Sequence, residues 1–266
     1  MIHALSDRAE RISPAAYLEL LVNLTKREVM GRYSQSFFGI GWAIAQPIAA
    51  MAVFTVVFSR LGKLPSDGAP YPLFAYTGLM FWFFFSNSVS SGTGSLVTYR
   101  DIVTKTYFPR EILPLAQVCS RLIDFAAAAG LFALLMVYYG VGVNAWSLMG
   151  LVCFGQLILF TVGVTLFTSA LNVFYRDVNP VIQIALQLWL YITPVAYPMS
   201  AVPERLRPFY VLNPLTAIVE GARSGILFGR PPDWQLAGVS LSMTVALVVV
   251  AFFTFKRMDK YFADVI

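Results

Sequence analysis

Residues 125–175 form a run of 51 without Asp, Glu, Lys, Arg or His, bracketed by Arg121 and Asp124 on one side and by Arg176 and Asp177 on the other. One bilayer crossing takes about 20 apolar residues, so the run divides into two crossings at the polar break Tyr139-Gly140-Val141-Gly142-Val143-Asn144. Such a hairpin places both charged ends on the same side of the membrane. A chain that is 58% hydrophobic and 12% charged is expected to be an all-α integral membrane protein. Its net charge of +5 does not predict a nucleic-acid partner, because the cations flank apolar runs instead of forming a soluble patch.

Apolar runs, charge-free except for Arg121 and Asp124 in the third, predict six transmembrane helices near 37–59, 72–97, 112–139, 146–173, 179–199 and 234–255. With both termini cytoplasmic, thirteen of the nineteen Lys and Arg residues lie inside: Arg8, Arg11, Lys26, Arg27, Arg32, Arg100, Lys105, Arg110, Arg121, Arg176, Lys256, Arg257 and Lys260. Arg60, Lys63, Arg205, Arg207, Arg223 and Arg230 fall outside. The predicted organisation is a cytoplasmic N-terminus over 1–35, a six-helix domain over 36–256, and a cytoplasmic tail over 257–266. Residues 1–11 carry no apolar core or cleavage signal, which predicts that no signal peptide is removed. Cys119 and Cys153 fall within spans as small hydrophobes, and His3 has no partner at ligand spacing, so no metal site is expected.

Three segments between the spans carry most of the remaining information. Ser13-Pro14 marks a helix start, with the hydroxyl as N-cap and proline at the first helical position. The helix that follows, carrying Lys26, Arg27 and Arg32, is too polar to cross. Two placements fit it equally, along the cytoplasmic interface or packed on protein. The loop over 98–111 is the most mixed in charge and predicts a short helix ended by Pro109, with Asp101 and Lys105 spaced to pair. Residues 203–230 lie between the fifth and sixth spans. Their prolines, Asn213-Pro214 and the charges Glu220 and Arg223 predict an outer re-entrant or interfacial helical pair, in which Glu220 and Arg223 neutralise each other.

These pieces follow one order. Lys26-Arg27-Glu28 and Arg32-Tyr33 precede Phe38-Gly39-Ile40-Gly41-Trp42-Ala43 and Pro47; Phe81-Trp82-Phe83-Phe84-Phe85-Ser86-Asn87-Ser88 and Phe108-Pro109-Arg110-Glu111 come next. Leu171-Asn172-Val173-Phe174-Tyr175-Arg176-Asp177, Tyr191-Ile192-Thr193-Pro194-Val195 and Asn213-Pro214 complete it. Over nearly its whole length the chain resembles the membrane subunit of type-2 ABC exporters, in the branch that exports O-antigen, teichoic acid and capsular polysaccharides. The resemblance implies a bacterial inner-membrane homodimer with a path along its two-fold axis, driven by two copies of a separate ATPase. That ATPase would bind ATP and Mg, with no cofactor in this chain, and the sequence holds no G-x-x-x-x-G-K-[ST] phosphate loop.

Under that resemblance Tyr99, Arg100, Asp101, Lys105, Tyr107, Phe108 and Arg110 look like the element that docks on the ATPase. A glycan path is expected from Trp42, Phe81, Trp82, Phe84, Phe85 and Ser88, since sugar C–H faces pack on aromatic rings without fixed hydrogen bonds. The same rings also fit lipid-facing or packed positions. The family's glycan arrives on a lipid carrier, and Lys26, Arg27, Arg32 and Tyr33 are expected at the entrance for its phosphate headgroup, or as positive-inside anchors. Asn213, Pro214, Glu220 and Arg223 mark the re-entrant segment. The alternative functions are a type-2 ABC permease for drugs or lipids and an intramembrane transferase. The transferase requires clustered ionisable groups, which the separation of Asp124 from Glu220 opposes.

Overall fold

A computed structural model of the chain describes residues 13–34, 37–39, 41–62, 65–105 and 108–266, and among these every regular element is helical. His3, Arg8, Arg11, Ile40, Lys63 and Tyr107 lie outside the described residues.

The first helix, α1 (Pro14–Tyr33), starts where the Ser13 hydroxyl accepts from the Ala16 amide at 3.2 Å, with Pro14 in its first turn. It packs along α5 (Ile112–Tyr138) while leaving Leu18, Val22 and Met30 exposed, so it combines a protein-packed side with an apolar outer side. Helix α2 is continuous over Gly41–Leu61, its last two turns π-helical from Thr55, with Pro47 buried in its interior. Helix α3 (Tyr71–Thr98) is followed by the six-residue α4 (Arg100–Lys105) and then by α5. The break after α5 contains Gly140 at φ +68°, a left-handed turn that glycine enters without steric cost. Asn144 then caps a 3₁₀ turn, Ala145–Leu148, that runs into α6 (Met149–Phe174).

Among the described residues four helices are long and apolar enough to cross a bilayer: Gly41–Leu61, Ile112–Tyr138, Ala145–Phe174 and Trp234–Asp259, the last being α10. Six crossings were expected, and the remaining two differ in kind from these four. The 28 residues of α3 reach about 42 Å at 1.5 Å per residue, but its Ser, Thr, Asn and Gly content makes it less apolar. It lies at the centre of the bundle, packed by α2, α5, α6 and α7 (Val178–Ile192). The segment expected as a fifth span over 179–199 is helical only to Ile192. Pro194 disfavours helical geometry at the residue before it, and Thr193 is extended at φ −91°, ψ 137°.

Beyond that break the chain forms a short helical pair, α8 (Arg207–Val211) and α9 (Pro214–Ile226), in the segment expected to be one. Asn213 fixes the start of α9, its Oδ1 accepting from the Leu215 amide at 3.2 Å and from Trp189 Nε1 at 3.1 Å, while its Nδ2 donates to Thr193 Oγ1 at 2.9 Å. Nearly all of α9 is buried, and Arg223 is wholly so. Its guanidinium donates to the carbonyls of Phe74, Pro194 and Val195 and to Glu220 Oε1 at 3.1 Å, and stacks 3.7 Å from the Phe74 ring centre. All five of its N–H donors are used. The expected Glu220–Arg223 pair is thus present, and it ties α9 to α3 and to the broken end of α7. A Cβ at Gly78 would stand 2.5 Å from Arg223 Nη2 and 2.7 Å from the Val195 carbonyl, so only glycine admits this approach.

The last helix, α11 (Phe262–Val265), folds back beside α4 at the opposite end of the molecule from α9. There Phe262, Phe255, Val103, Leu96 and Leu113 form a second apolar cluster, separate from the main core around α3.

Candidate functional site

The last turn of α1 meets the first half of α5 through charge. Arg32 Nη1 donates to Asp124 Oδ2 at 2.8 Å and its Nη2 to Ser120 Oγ at 2.7 Å; the Tyr33 hydroxyl donates to Asp124 Oδ1. Arg121, one turn before Asp124 on α5, donates to the same Oδ2 at 3.2 Å, while its Nε is buried without a hydrogen-bond partner. Two guanidiniums therefore share one carboxylate, leaving about one uncompensated positive charge in a half-buried site with a spare donor. Burial and the hydrogen bond to Asp124 push the Tyr33 hydroxyl pKa up, which keeps it a neutral donor.

Beside this cluster opens a cavity of about 280 Å³, bounded by α1, α2, α3 and α5. The charged group forms one end, and Trp42, Phe84 and Phe125 with Gln46 and Asn87 form the walls. Trp42 is 57% exposed and meets Phe38 edge-on at 5.5 Å. An anionic group at the charged end and a ring-bearing body along the aromatic wall is the chemistry this arrangement accepts.

The other expected path residues are placed differently. Phe81, Phe85 and Ser88 are buried at 2% exposure or less, and Phe81 and Phe85 are packed by rings of the same chain. Phe81 meets Phe125 at 5.8 Å, Phe85 stacks on Phe160 at 5.5 Å, and Phe125 stacks on Phe154 at 3.7 Å. Trp82 reaches a different and more polar cleft of about 200 Å³, between α3 and α7, lined by Ser86, Asn87, Ser90, Gln183 and Gln187. The expected path group therefore divides between a cavity wall, a packed interior and a second cleft, with Phe84, 4% exposed and packed on Phe125 at 5.7 Å and Phe154 at 5.2 Å, belonging to both of the first two.

The entrance residues also divide. Arg32 and Tyr33 join the cavity, whereas Arg27 lies over the Tyr99 ring at 5.0 Å and Lys26 is exposed. Glu28, beside Arg27, accepts from the Tyr99 hydroxyl, whose pKa burial and this bond push up to about 12. In the loop over 98–111, Arg100, Asp101 and Lys105 point outward, the last two paired at 3.6 Å and each 75% exposed. Tyr99, Phe108 and Arg110 turn back into the protein, Arg110 donating to the carbonyl and carboxylate of Asp259.

Comparison with known proteins decides the family. The ABC-2 type transporter family model matches residues 19–227. This chain belongs to the ABC-2 type transporter family. As a member it is a multi-pass membrane permease, the transport component and not the ATPase. It is 30% identical over 256 residues to the O-antigen export system permease protein RfbA of Myxococcus xanthus, covering 93% of this chain and 95% of the relative. The Klebsiella pneumoniae protein of the same name is 26% identical over 250 residues, at the same coverage of both chains. The Polysialic acid transport protein KpsM of Escherichia coli is 22% identical, covering 85% of this chain and 87% of KpsM.

For the permease, the residues that sequence reasoning passed over are Ser120, Arg121, Asp124 and Phe125. Their signal was visible, since Arg121 and Asp124 are charges three apart at the edge of a charge-free run. What the sequence did not carry was their partner, 92 positions away in Arg32.

Proposed function

We propose that this permease exports a lipid-linked polysaccharide of the O-antigen kind across the bacterial inner membrane, as a homodimer driven by two copies of a separate ATPase that binds ATP and Mg. The observation that carries the reading is the cavity whose charged end holds Arg32, Arg121 and Asp124 and whose wall holds Trp42, Phe84 and Phe125. Two relatives named for O-antigen export and one named for polysialic acid transport support a polysaccharide as cargo. Arg32 and Arg121 receive the phosphate of the carrier, and Tyr33 and Ser120 orient the guanidinium and carboxylate. Trp42 and Phe84 take the first sugar faces, which slide because ring contacts fix no hydrogen bond.

In this reading all six helices cross, α3 and α7 as interior crossings covered by protein in the dimer, and both termini are cytoplasmic. The organisation is an interface segment over 1–35, a membrane domain over 36–256 and a tail over 257–266. Segment 98–111 docks on the ATPase through the outward side chains of α4, Arg100, Asp101 and Lys105. Tyr99, Phe108 and Arg110 anchor it from behind. Segment 203–230 closes the outer end, held by Asn213, Pro214, Glu220 and Arg223.

The test is to neutralise Arg32 and Arg27 separately and to compare glycan export with membrane abundance. Arg32→Gln is expected to lose export at normal abundance, while Arg27→Gln, whose side chain lies on Tyr99, retains most of it. Equal loss of abundance and export in both variants would leave the cations as membrane anchors only.

A further inference from the structure

The end of the chain is built into the proposed docking loop. A helix of six residues such as α4 does not hold its shape alone, because nucleation costs more than so few hydrogen bonds return. Its rigidity comes from what holds it: α11 and the end of α3 pack on it directly, and α10 ties down the end of the same loop at Arg110 and Glu111. Val103, 1% exposed, inserts from α4 into the cluster that Phe255 and Phe262 form with Leu96, Leu113 and Leu166, the two rings meeting edge-on at 5.3 Å. Arg110 donates to Asp259, and Lys256 Nζ donates to Glu111 Oε1 at 2.6 Å. The loop is tied to α1 as well, by the Tyr99–Glu28 bond with Arg27 above the ring and by Leu24, which packs against the same apolar cluster.

The other end of α10 touches the helical pair at the far side of the molecule. Ser240 Oγ donates to the carbonyl of Pro214 at 3.0 Å, at the first residue of α9. Helix α10 runs 26 residues, about 39 Å at 1.5 Å per residue, and packs along α6 for its length. The tail from residue 228 onward lies beyond the family match, which ends at 227.

We propose that α10, clamped to the docking loop through Phe262, Lys256 and Asp259, is a strut that carries displacement of α4 to α9, so that ATP hydrolysis at one end repositions the helical pair at the other. This rests on the reading of α4 as the ATPase-docking helix. Phe262, Lys256 and Asp259 are positioning residues in it, touching neither cargo nor nucleotide. A strut without its clamp lets α4 yield locally, so hydrolysis continues and its work is not delivered.

The experiment uses the full permease purified with its ATPase and reconstituted for glycan export, reading assembly, hydrolysis and export in the same sample. Phe262→Ala is expected to assemble normally but to lower export per ATP hydrolysed by about five-fold or more, and Phe262→Leu to restore it by refilling the pocket. Lys256→Glu should give the same loss, and Lys256→Glu combined with Glu111→Lys should recover it by re-forming the pair in reverse. If Phe262→Ala does not accumulate, the charge pair decides alone. Unchanged export per ATP in Lys256→Glu, or no recovery in the double exchange, overturns the strut. Arg100→Glu with Lys105→Glu, run in parallel, reads docking itself. Normal assembly there overturns the docking helix and the strut together, whereas lost assembly there with an unchanged ratio in the tail variants overturns the strut alone.

Discussion

Arg223 in α9 and the pair Arg32–Arg121 at the α1–α5 contact are both arginine sites joined to a carboxylate, the first wholly buried and the second half-buried, yet they are built to opposite ends. Arg223 spends all five donors on three carbonyls and Glu220, and a ring covers its face. Nothing is left for a ligand. At the other site two guanidiniums divide one carboxylate, an Nε stays unpaired, and a cavity of about 280 Å³ begins where the charge is in excess. A saturated arginine holds chain segments together, while an undersaturated one beside a void is equipped to take an anion from elsewhere.

By that contrast the largest effect belongs to Arg223. Replacing it with Met leaves Glu220 and three carbonyls without their donor, and a broken buried pair costs about 3–5 kcal/mol. The expected outcome is a sharp fall in thermal unfolding midpoint and membrane abundance. A variant that remains as stable as the wild type would place Arg223 on the ligand side of the comparison. Gly78→Ala is next, at about 1–3 kcal/mol from overpacking against Arg223 and the Val195 carbonyl. Because the two residues touch, the double variant should cost less than the separate losses added together, which unfolding of all four proteins would show. Arg121→Ala should behave differently. It cancels the excess charge at the cavity without stranding Asp124, which keeps Arg32, so abundance should stay near normal while export falls about ten-fold, the loss of one charge-assisted contact. Arg121→Lys should recover only part, since a point charge replaces a planar fork.

The two arginine sites were not equally legible. Glu220 and Arg223 are three apart on one helical face, and Asn213-Pro214 announces the helix start, so the local part of the outer knot could be read directly. The carbonyls that saturate Arg223 belong to Phe74, Pro194 and Val195, and no spacing rule reaches them. For Arg32 the sequence offers a headgroup site or a positive-inside anchor and no carboxylate partner, because Asp124 is 92 positions away. The aromatic run of α3 suggests a path because sugar faces pack on rings. The five consecutive aromatics from Phe81 to Phe85 put rings on every side of the helix, so their spacing does not say which of them meets a cavity. Phe84 and Phe85 are both buried, and that Phe84 also borders the cavity while Phe85 stacks on Phe160 follows from the position of α5, α6 and α7, which only packing reveals. The expected fifth helix was overlong for a local reason that could have been read, since Pro194 stops it after Ile192.

The smallest effect tests the comparison from outside the bundle. Asp101 and Lys105 are paired on α4 at 3.6 Å, but each is 75% exposed, so solvent screens the pair. Replacing Asp101 with Asn or Lys105 with Gln should move the stability of the isolated permease by no more than about 0.5 kcal/mol, within the range of an exposed helical pair. Their charges are then free to serve a partner surface, as the excess charge at Arg32 and Arg121 is free to serve a ligand. A larger loss of stability in the permease alone would show that the pair already holds α4 in place. In that case the outward face of α4 would belong with Arg223, among contacts that serve the fold, and its value as a docking surface would have to rest on Arg100.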